Sequence, residues 1–281
     1  MKFENIRVYN FENALRGMRN PKNSWNLSDS VFGYSADEDI ISDHINYMAN
    51  LWTESREFGF ENEVQKAHFY KETVNWLVKN ALTFYGDGMY ECNFIGPKDM
   101  KLAKSLISAG SEHRKFLRQI FVSVDITAPL YFFKELDTYK VGTVANSTST
   151  MHKLTSKPIT LDCFEIDDFN NIEYPEDKQR DELKHPIDND FVQMCLIPYL
   201  EYLRTRHLEL KEAGDEEEAT KVWKELIRWL PNGWLQTRTV TMNYENLRSI
   251  CGQRKNHKLT EWRESFMNMA AALPYAQEFI L

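Results

Sequence analysis

Two segments of this sequence concentrate residues able to hold a phosphorylated or flat aromatic ligand. In the first, 138–153, hydroxyls and an amide crowd into 143–150, flanked by Lys140, His152 and Lys153. Small donors of this kind, with backbone N–H groups left free, wrap a phosphate while the lysines neutralise it. The same composition also suits a Ser/Thr-rich turn whose side chains cap their own backbone, and the residues alone leave both open. In the second, 236–257, a strand runs straight into a helix at Asn243. Asn is a strong N-cap residue, and a helix N-terminus with free amides attracts an anion. Arg254 follows Asn243 by eleven positions, about three helical turns, so the two share a face.

Other chemistries find little footing. Cys92, Cys163, Cys195 and Cys251 stand singly with no CxxC pair, which reads as reduced thiols rather than a zinc site. His44, His68, His185 and His207 lie in unrelated segments and read as surface or core residues, so no metal site is expected. The aromatic group Tyr131, Phe132 and Phe133 is read as packing on a sheet, with stacking on a flat ligand as the alternative.

The elements that must position these residues follow from periodicity. A strand is predicted over 6–9, then a polar stretch at 18–25 with no helical period. Helical spacing governs 39–84, in which Ile40, Ile41, His44, Ile45, Met48, Leu51 and Trp52 fall on one side. A strand over 90–95 leads to a helix over about 98–109, which Gly110 terminates at a left-handed cap. Alternation predicts a strand over 120–126, ending near Pro129. Helical patterns at 191–213 and 216–230, separated by Gly214, predict a hairpin whose acidic start at 215–218 is structural. A strand over 236–242 and helices over 243–253 and 260–272 close the chain.

With 281 residues, 42% apolar and 13% aromatic, the chain can bury a substantial core. A formal charge of −8 argues against a nucleic-acid polymer as partner, because such binders need a basic face to release counterions. The start lacks the apolar stretch of a signal peptide and no run approaches a membrane span, so the expected place is the cytoplasm.

The two segments together resemble the flavin-dependent thymidylate synthases. That family's signature is Arg-His-Arg, seven residues, then Ser, with an Asn three positions before the Ser. Here Ser149 and Asn146 match, while the triplet reads Tyr139, Lys140, Val141, and the Arg and Tyr that follow the family's Ser are Met151 and His152. Towards the C-terminus the family's order returns in Leu230-Pro231, Thr241-Met242-Asn243 at the same Pro-to-Asn spacing of twelve, Asn246-Leu247, Arg254, and His257 before Glu261-Trp262-Arg263. His257 stands one position closer to Arg254 than the family's His, and the Arg expected four residues before the proline is Ile227, next to Arg228. Gly110 to His113 and the strand after them are similar to the family's Gly-His turn. The resemblance spans about 90–153 and 223–275.

It implies an α+β fold, an antiparallel or mixed sheet flanked by helices. Residues 1–89 would be a strand and helical extension, and 90–281 the synthase-like domain with a helical insertion at about 165–222. It implies reductive methylation of dUMP to dTMP, with methylenetetrahydrofolate as carbon donor and NADPH reducing a bound FAD, or a related pyrimidine C5 modification such as hydroxymethylation. No enzyme nucleophile is needed, since the protein orients rings and stabilises developing charge. By position, Ser149 and Arg254 bind the nucleotide and serve catalysis, with Lys140 and Lys153 as added cations. Asn146, Asn243, His257 and Tyr139 lie by the flavin. A homotetramer is implied, because the family builds its sites from several subunits. Tyr139, Val141 and Met151 remove positive charge, for which Lys153, Arg228, Arg238 and Arg248 are candidate replacements. The alternative is a nucleotide- or flavin-binding protein that keeps the fold without catalysis.

Overall fold

The computed structural model describes residues 1–56, 59–166 and 192–281. In chain order its N-terminal elements are β1 (Lys2–Tyr9), α1 (Phe11–Arg19), β2 (Val31–Ser35), α2 (Glu38–Glu54), α3 (Glu63–Ala81), β3 (Leu82–Tyr85), β4 (Met89–Phe94) and α4 (Pro97–Ser108). The middle holds β5 (Phe121–Pro129), α5 (Leu130–Leu136), β6 (Val144–Ser147), α6 (Thr150–Lys153), α7 (Ile197–Glu212) and α8 (Glu216–Trp229). The end holds β7 (Leu235–Asn243), α9 (Tyr244–Arg254), a π-helical turn (Glu261–Phe266), α10 (Met267–Ala271) and α11 (Ala276–Phe279).

The fold is α+β, as expected. One sheet has four strands in the order β1-β5-β7-β6, and a second, antiparallel, has the order β2-β4-β3. On β5 the period of two runs from Val122 to Ala128: Val122, Val124, Ile126 and Ala128 are fully buried while Ser123, Asp125 and Thr127 between them are not. The expected helices over 39–84 are α2 and α3, each started by a side-chain cap, Asp37 for α2 and Asn62 for α3. Gly110 adopts φ +108° after α4, the left-handed conformation read from its position.

Three elements escaped the periodicity. Helix α1 buries Phe11, Ala14, Leu15 and Met18 at helical spacing, but its polar remainder and the turn formers after it hide the pattern. Strands β2 and β3 are short and flank β4 through register pairs such as Gly33 with Cys92 and Phe84 with Tyr90. Their identity is set by that pairing rather than by local sequence.

Backbone contacts divide the chain into two compact units whose boundaries fall inside β1, β5, β6 and β7 and between Tyr139 and Lys140. The first comprises Met1–Glu4, Asp125–Tyr139 and Ala145–Thr239, and the second Asn5–Val124, Lys140–Val144 and Val240–Leu281. In the first, Leu154, Ile159, Phe164, Leu200, Leu203 and Leu226 form a core, each worth about 1.5–3 kcal/mol if fully buried. Within it α7 and α8 make the expected hairpin. Asp215 caps α8 by accepting from the Glu218 N–H at 3.2 Å, and Lys221 pairs with Glu217 and Glu218, so the acidic start is structural. His207 bonds the Ala219 carbonyl at 2.8 Å within the same hairpin. His185 lies outside the described residues.

The second unit centres on Phe11, Phe94, Tyr244, Trp262, Tyr275 and Phe279, all nearly or fully buried. It also holds a buried ion pair. Asp99 accepts from Arg19 Nε at 2.5 Å and from the hydroxyls of Ser28 and Ser30 at 2.5 and 2.6 Å. No helix among the described residues is long and apolar enough to cross a membrane.

Candidate functional site

The hydroxyl-rich segment is not the open loop its composition suggests. Val144–Ser147 forms β6, the outer strand beside β7, and Thr150–Lys153 forms the short helix α6. A Val followed by small residues pairs with a neighbouring strand when one is offered, and tertiary pairing overrides turn composition. In the first unit, Thr148 is tied to β7 on three sides. Its N–H donates to the Thr237 carbonyl at 2.9 Å, its hydroxyl accepts from the Thr237 N–H at 3.3 Å, and its carbonyl accepts from Gln236 Nε2 at 2.9 Å. Asn146 is exposed on β6, and Ser149 is half-buried at the position that starts α6, its carbonyl accepting from the Lys153 N–H at 3.1 Å. Lys153 is exposed at the end of α6. Tyr139 is half-buried just after α5.

In the second unit the segment 140–144 sits on the N-terminus of α9, so the two motifs meet there. Asn243 caps the helix as expected: its side chain accepts from the Asn246 N–H at 2.9 Å, and Asn246 returns a bond from the Asn243 N–H at 3.3 Å. The Asn246 amide also donates to the Val141 carbonyl. Gly142, at φ +78°, comes so close that a Cβ there would lie 2.6 Å from Asn243 Nδ2 and 3.1 Å from Asn246 Oδ1. Only Gly satisfies both that dihedral and that distance. One polar atom at this junction is unsatisfied: the Thr143 hydroxyl is buried with no hydrogen-bond partner. Lys140 is exposed at the start of the segment.

At the other end of α9, roughly 16 Å from Asn243 at about 1.5 Å per residue, a second cluster forms. The half-buried Arg254 guanidinium lies 5.7 Å from the centre of the fully buried Trp262 ring, and the His257 ring meets the same indole edge-on at 6.4 Å. The His257 Nδ1 accepts from the Leu259 N–H at 3.2 Å, which fixes the ring. Arg254 in the last turn also suits the negative end of the helix dipole. Asn243 and Arg254 do lie on nearly the same side of the helix, but a ligand touching both must span that length.

A cavity of about 570 Å³ runs along α9, within the size range of ligand pockets. Glu245, Arg248, Ser249, Gly252 and Gln253 line it, with Arg114 and Lys255 adding positive charge. At about 100° per residue this face lies well round the helix from Arg254. Arg114 forms a bidentate pair with Glu245, at 2.8 Å from Nε and 3.0 Å from Nη2. Sequence reading did not select Arg114, Ser249, Gln253 or Lys255, because polar residues at helical spacing look the same whether they line a cavity or face solvent.

Among the candidate replacement cations, only Arg248 lines this cavity. Arg238 is held by Asp137 at 2.9 Å and stacks 4.1 Å over the Phe133 ring, while Arg228 pairs with Glu225. Phe132 and Phe133 are fully buried, so this aromatic group packs in the first unit as expected. The buried Cys251 thiol is pushed up to about 11 by burial, which keeps it protonated and inert near neutral pH.

No protein-family model matches the chain, and no curated protein does. Among solved structures the chain is similar to two of flavin-dependent thymidylate synthase ThyX from Helicobacter pylori, both with FAD and dUMP. One alignment has 14% identity and a TM-score of 0.43 and covers 89% of this chain and 97% of that one. The other, at 2.31 Å resolution, has 14% identity and a TM-score of 0.43 and covers 90% and 97%. At that identity and TM-score the likeness carries no functional weight.

Proposed function

We propose that this chain modifies a pyrimidine nucleotide at C5 with a bound flavin, in the simplest form by reductive methylation of dUMP to dTMP with methylenetetrahydrofolate and NADPH. The observation that carries this reading is the unpaired, buried Thr143 hydroxyl where the first motif closes on the capped start of the second. A buried hydroxyl without a partner costs about 1–3 kcal/mol, a cost that a ligand atom bonding to it removes. The motif order from Asn146 to His257 supports the same family of chemistry.

The donor set fits a flavin nucleotide. Thr143 and the Asn243 amide offer neutral hydrogen bonds suited to a ring edge, and the cavity along α9 offers Arg248, Lys255 and Ser249 to phosphates. When bound, the flavin supplies a hydride to the pyrimidine, which is why the chain needs no nucleophile. Asn146, Asn243, His257 and Tyr139 are assigned to the flavin, and Ser149, Arg254, Lys140 and Lys153 to the nucleotide. Several subunits of a homotetramer would contribute. Trp262 supports Arg254 through a cation–π contact at 5.7 Å from the ring centre.

Thr143→Val tests this reading. It keeps the shape, removes the unsatisfied group and therefore leaves thermal stability unchanged or raised, while FAD affinity falls. Lower stability with unchanged FAD affinity would mean that the hydroxyl serves the fold alone. A second reading, binding without turnover, draws support from Arg228 and Arg238, both committed to carboxylates instead of replacing the lost cations. Flavin binding without dUMP-dependent flavin oxidation would select it.

A further inference from the structure

The second unit holds another cavity, of about 320 Å³, built from α2, α3, α4 and α11 and sharing no lining residue with the cavity along α9. Its walls are aromatic: Trp52, Phe69 and Trp76 line it. The two indoles meet edge-to-face at 5.2 Å. Their orientations are fixed, because Trp52 Nε1 donates to the Ile95 carbonyl at 3.1 Å and Trp76 Nε1 donates to Glu278 Oε1 at 3.2 Å.

The same cavity carries an unanswered negative charge. Glu278 Oε2 is buried with no hydrogen-bond partner, and among the described residues no Lys or Arg forms an ion pair with this carboxylate. Glu72 adds a second carboxylate at the lining. Lys104 also lines the cavity and is exposed, but among the described residues it pairs with neither carboxylate. An apolar ligand would gain nothing from the carboxylates, and an anion would meet them as repulsion. A cation gains twice, from the negative faces of the rings and from a carboxylate that lacks a counter-charge.

We propose that this cavity is a binding site for a small free organic cation of the substituted-ammonium class, held between Trp52, Phe69 and Trp76 and neutralised by Glu278. The volume, at the lower end for ligand pockets, suits a small molecule. Methyl-bearing ammonium heads match aromatic walls better than a compact hydrated ion, because their charge is spread over apolar surface. Nothing in this proposal depends on the flavin chemistry proposed above.

The test titrates choline into the full-length protein at constant ionic strength, read by calorimetry and by tryptophan fluorescence. Its neutral isostere 3,3-dimethylbutanol is the control. Choline is expected to bind saturably, with the alcohol weaker by about tenfold or more, the worth of a desolvated cation–π contact. Glu278→Gln, which keeps an acceptor for the Trp76 N–H, should weaken choline by about tenfold and leave the alcohol unchanged. Glu72→Gln, at an exposed position, covers the case in which the Glu278 variant fails to fold, and should weaken choline alone to a smaller degree. Equal binding of choline and the alcohol, no saturable binding of choline, or undiminished choline binding in both variants overturns the proposal.

Discussion

Gly142→Ala probes the junction on which the candidate site depends, and Gly214→Ala is its matched control. Both glycines have φ +78°, but a Cβ at Gly214 meets nothing within 4 Å, whereas at Gly142 it meets Asn243 Nδ2 at 2.6 Å and Asn246 Oδ1 at 3.1 Å. Placing an L-residue in the left-handed region costs about 1–2 kcal/mol at either position. The gain from a less flexible unfolded chain is also common to both and cancels in the comparison. Only Gly142→Ala has a further cost. Asn243 is short, buried and committed as the α9 cap, so it cannot yield without releasing the cap and the Asn246–Val141 bond. A lost cap is worth about 0.5–2 kcal/mol and a lost hydrogen bond about 0.5–1.5 kcal/mol. Together they place Gly142→Ala about 1–3.5 kcal/mol below its control, or about 2–6 °C in melting temperature for a chain of this size. Differential scanning calorimetry of the two variants measures the gap. Equal losses would refute the close packing of segment 140–144 on α9.

Three further outcomes are expected. Asp99→Ala strands a buried Arg19 guanidinium and two seryl hydroxyls, so urea unfolding should show a loss of about 3–5 kcal/mol; a loss below 1 kcal/mol would mean that the pair is solvated. Because burial raises the Cys251 thiol from 9.0 to about 11, its contribution to stability is fully present below pH 9 and is lost as pH rises from 9 towards 11. Near pH 8 the buried Cys251 should react with a thiol reagent far more slowly than the exposed Cys195, a comparison that peptide mapping checks. Ser149→Ala should lower nucleotide affinity and leave the melting temperature nearly unchanged; a loss of about 0.5–2 kcal/mol with affinity intact would make Ser149 only the cap of α6.

Long periodic elements were legible from sequence. Helices α2, α3, α4, α7 and α8 and strands β5 and β7 carry complete apolar patterns or clear stops such as Gly110, Gly214 and Pro231, and local chemistry decides them. Asn243 as the cap of α9 was legible for the same reason. The segment 143–150 was not, because β6 exists only by pairing beside β7, and no property of Val144 to Ser147 announces that neighbour. The unpaired Thr143 hydroxyl and the approach of Gly142 to the cap are likewise facts of three dimensions: sequence shows a hydroxyl and a glycine, not what surrounds them. Arg248 could be named as a candidate cation beforehand, but its place at a cavity, and the engagement of Arg228 and Arg238 elsewhere, depend on which way each helix and strand turns.

The central claim is flavin-dependent chemistry on a pyrimidine nucleotide, and the most direct measurement is the absorbance of FAD-reconstituted protein reduced with NADPH and then mixed with dUMP and methylenetetrahydrofolate. The account predicts near-stoichiometric FAD, a spectral change on adding dUMP, and reoxidation of the flavin coupled to formation of a C5-modified nucleotide identified by mass spectrometry. Protein that retains no FAD after reconstitution and gives no dUMP-dependent change would contradict it.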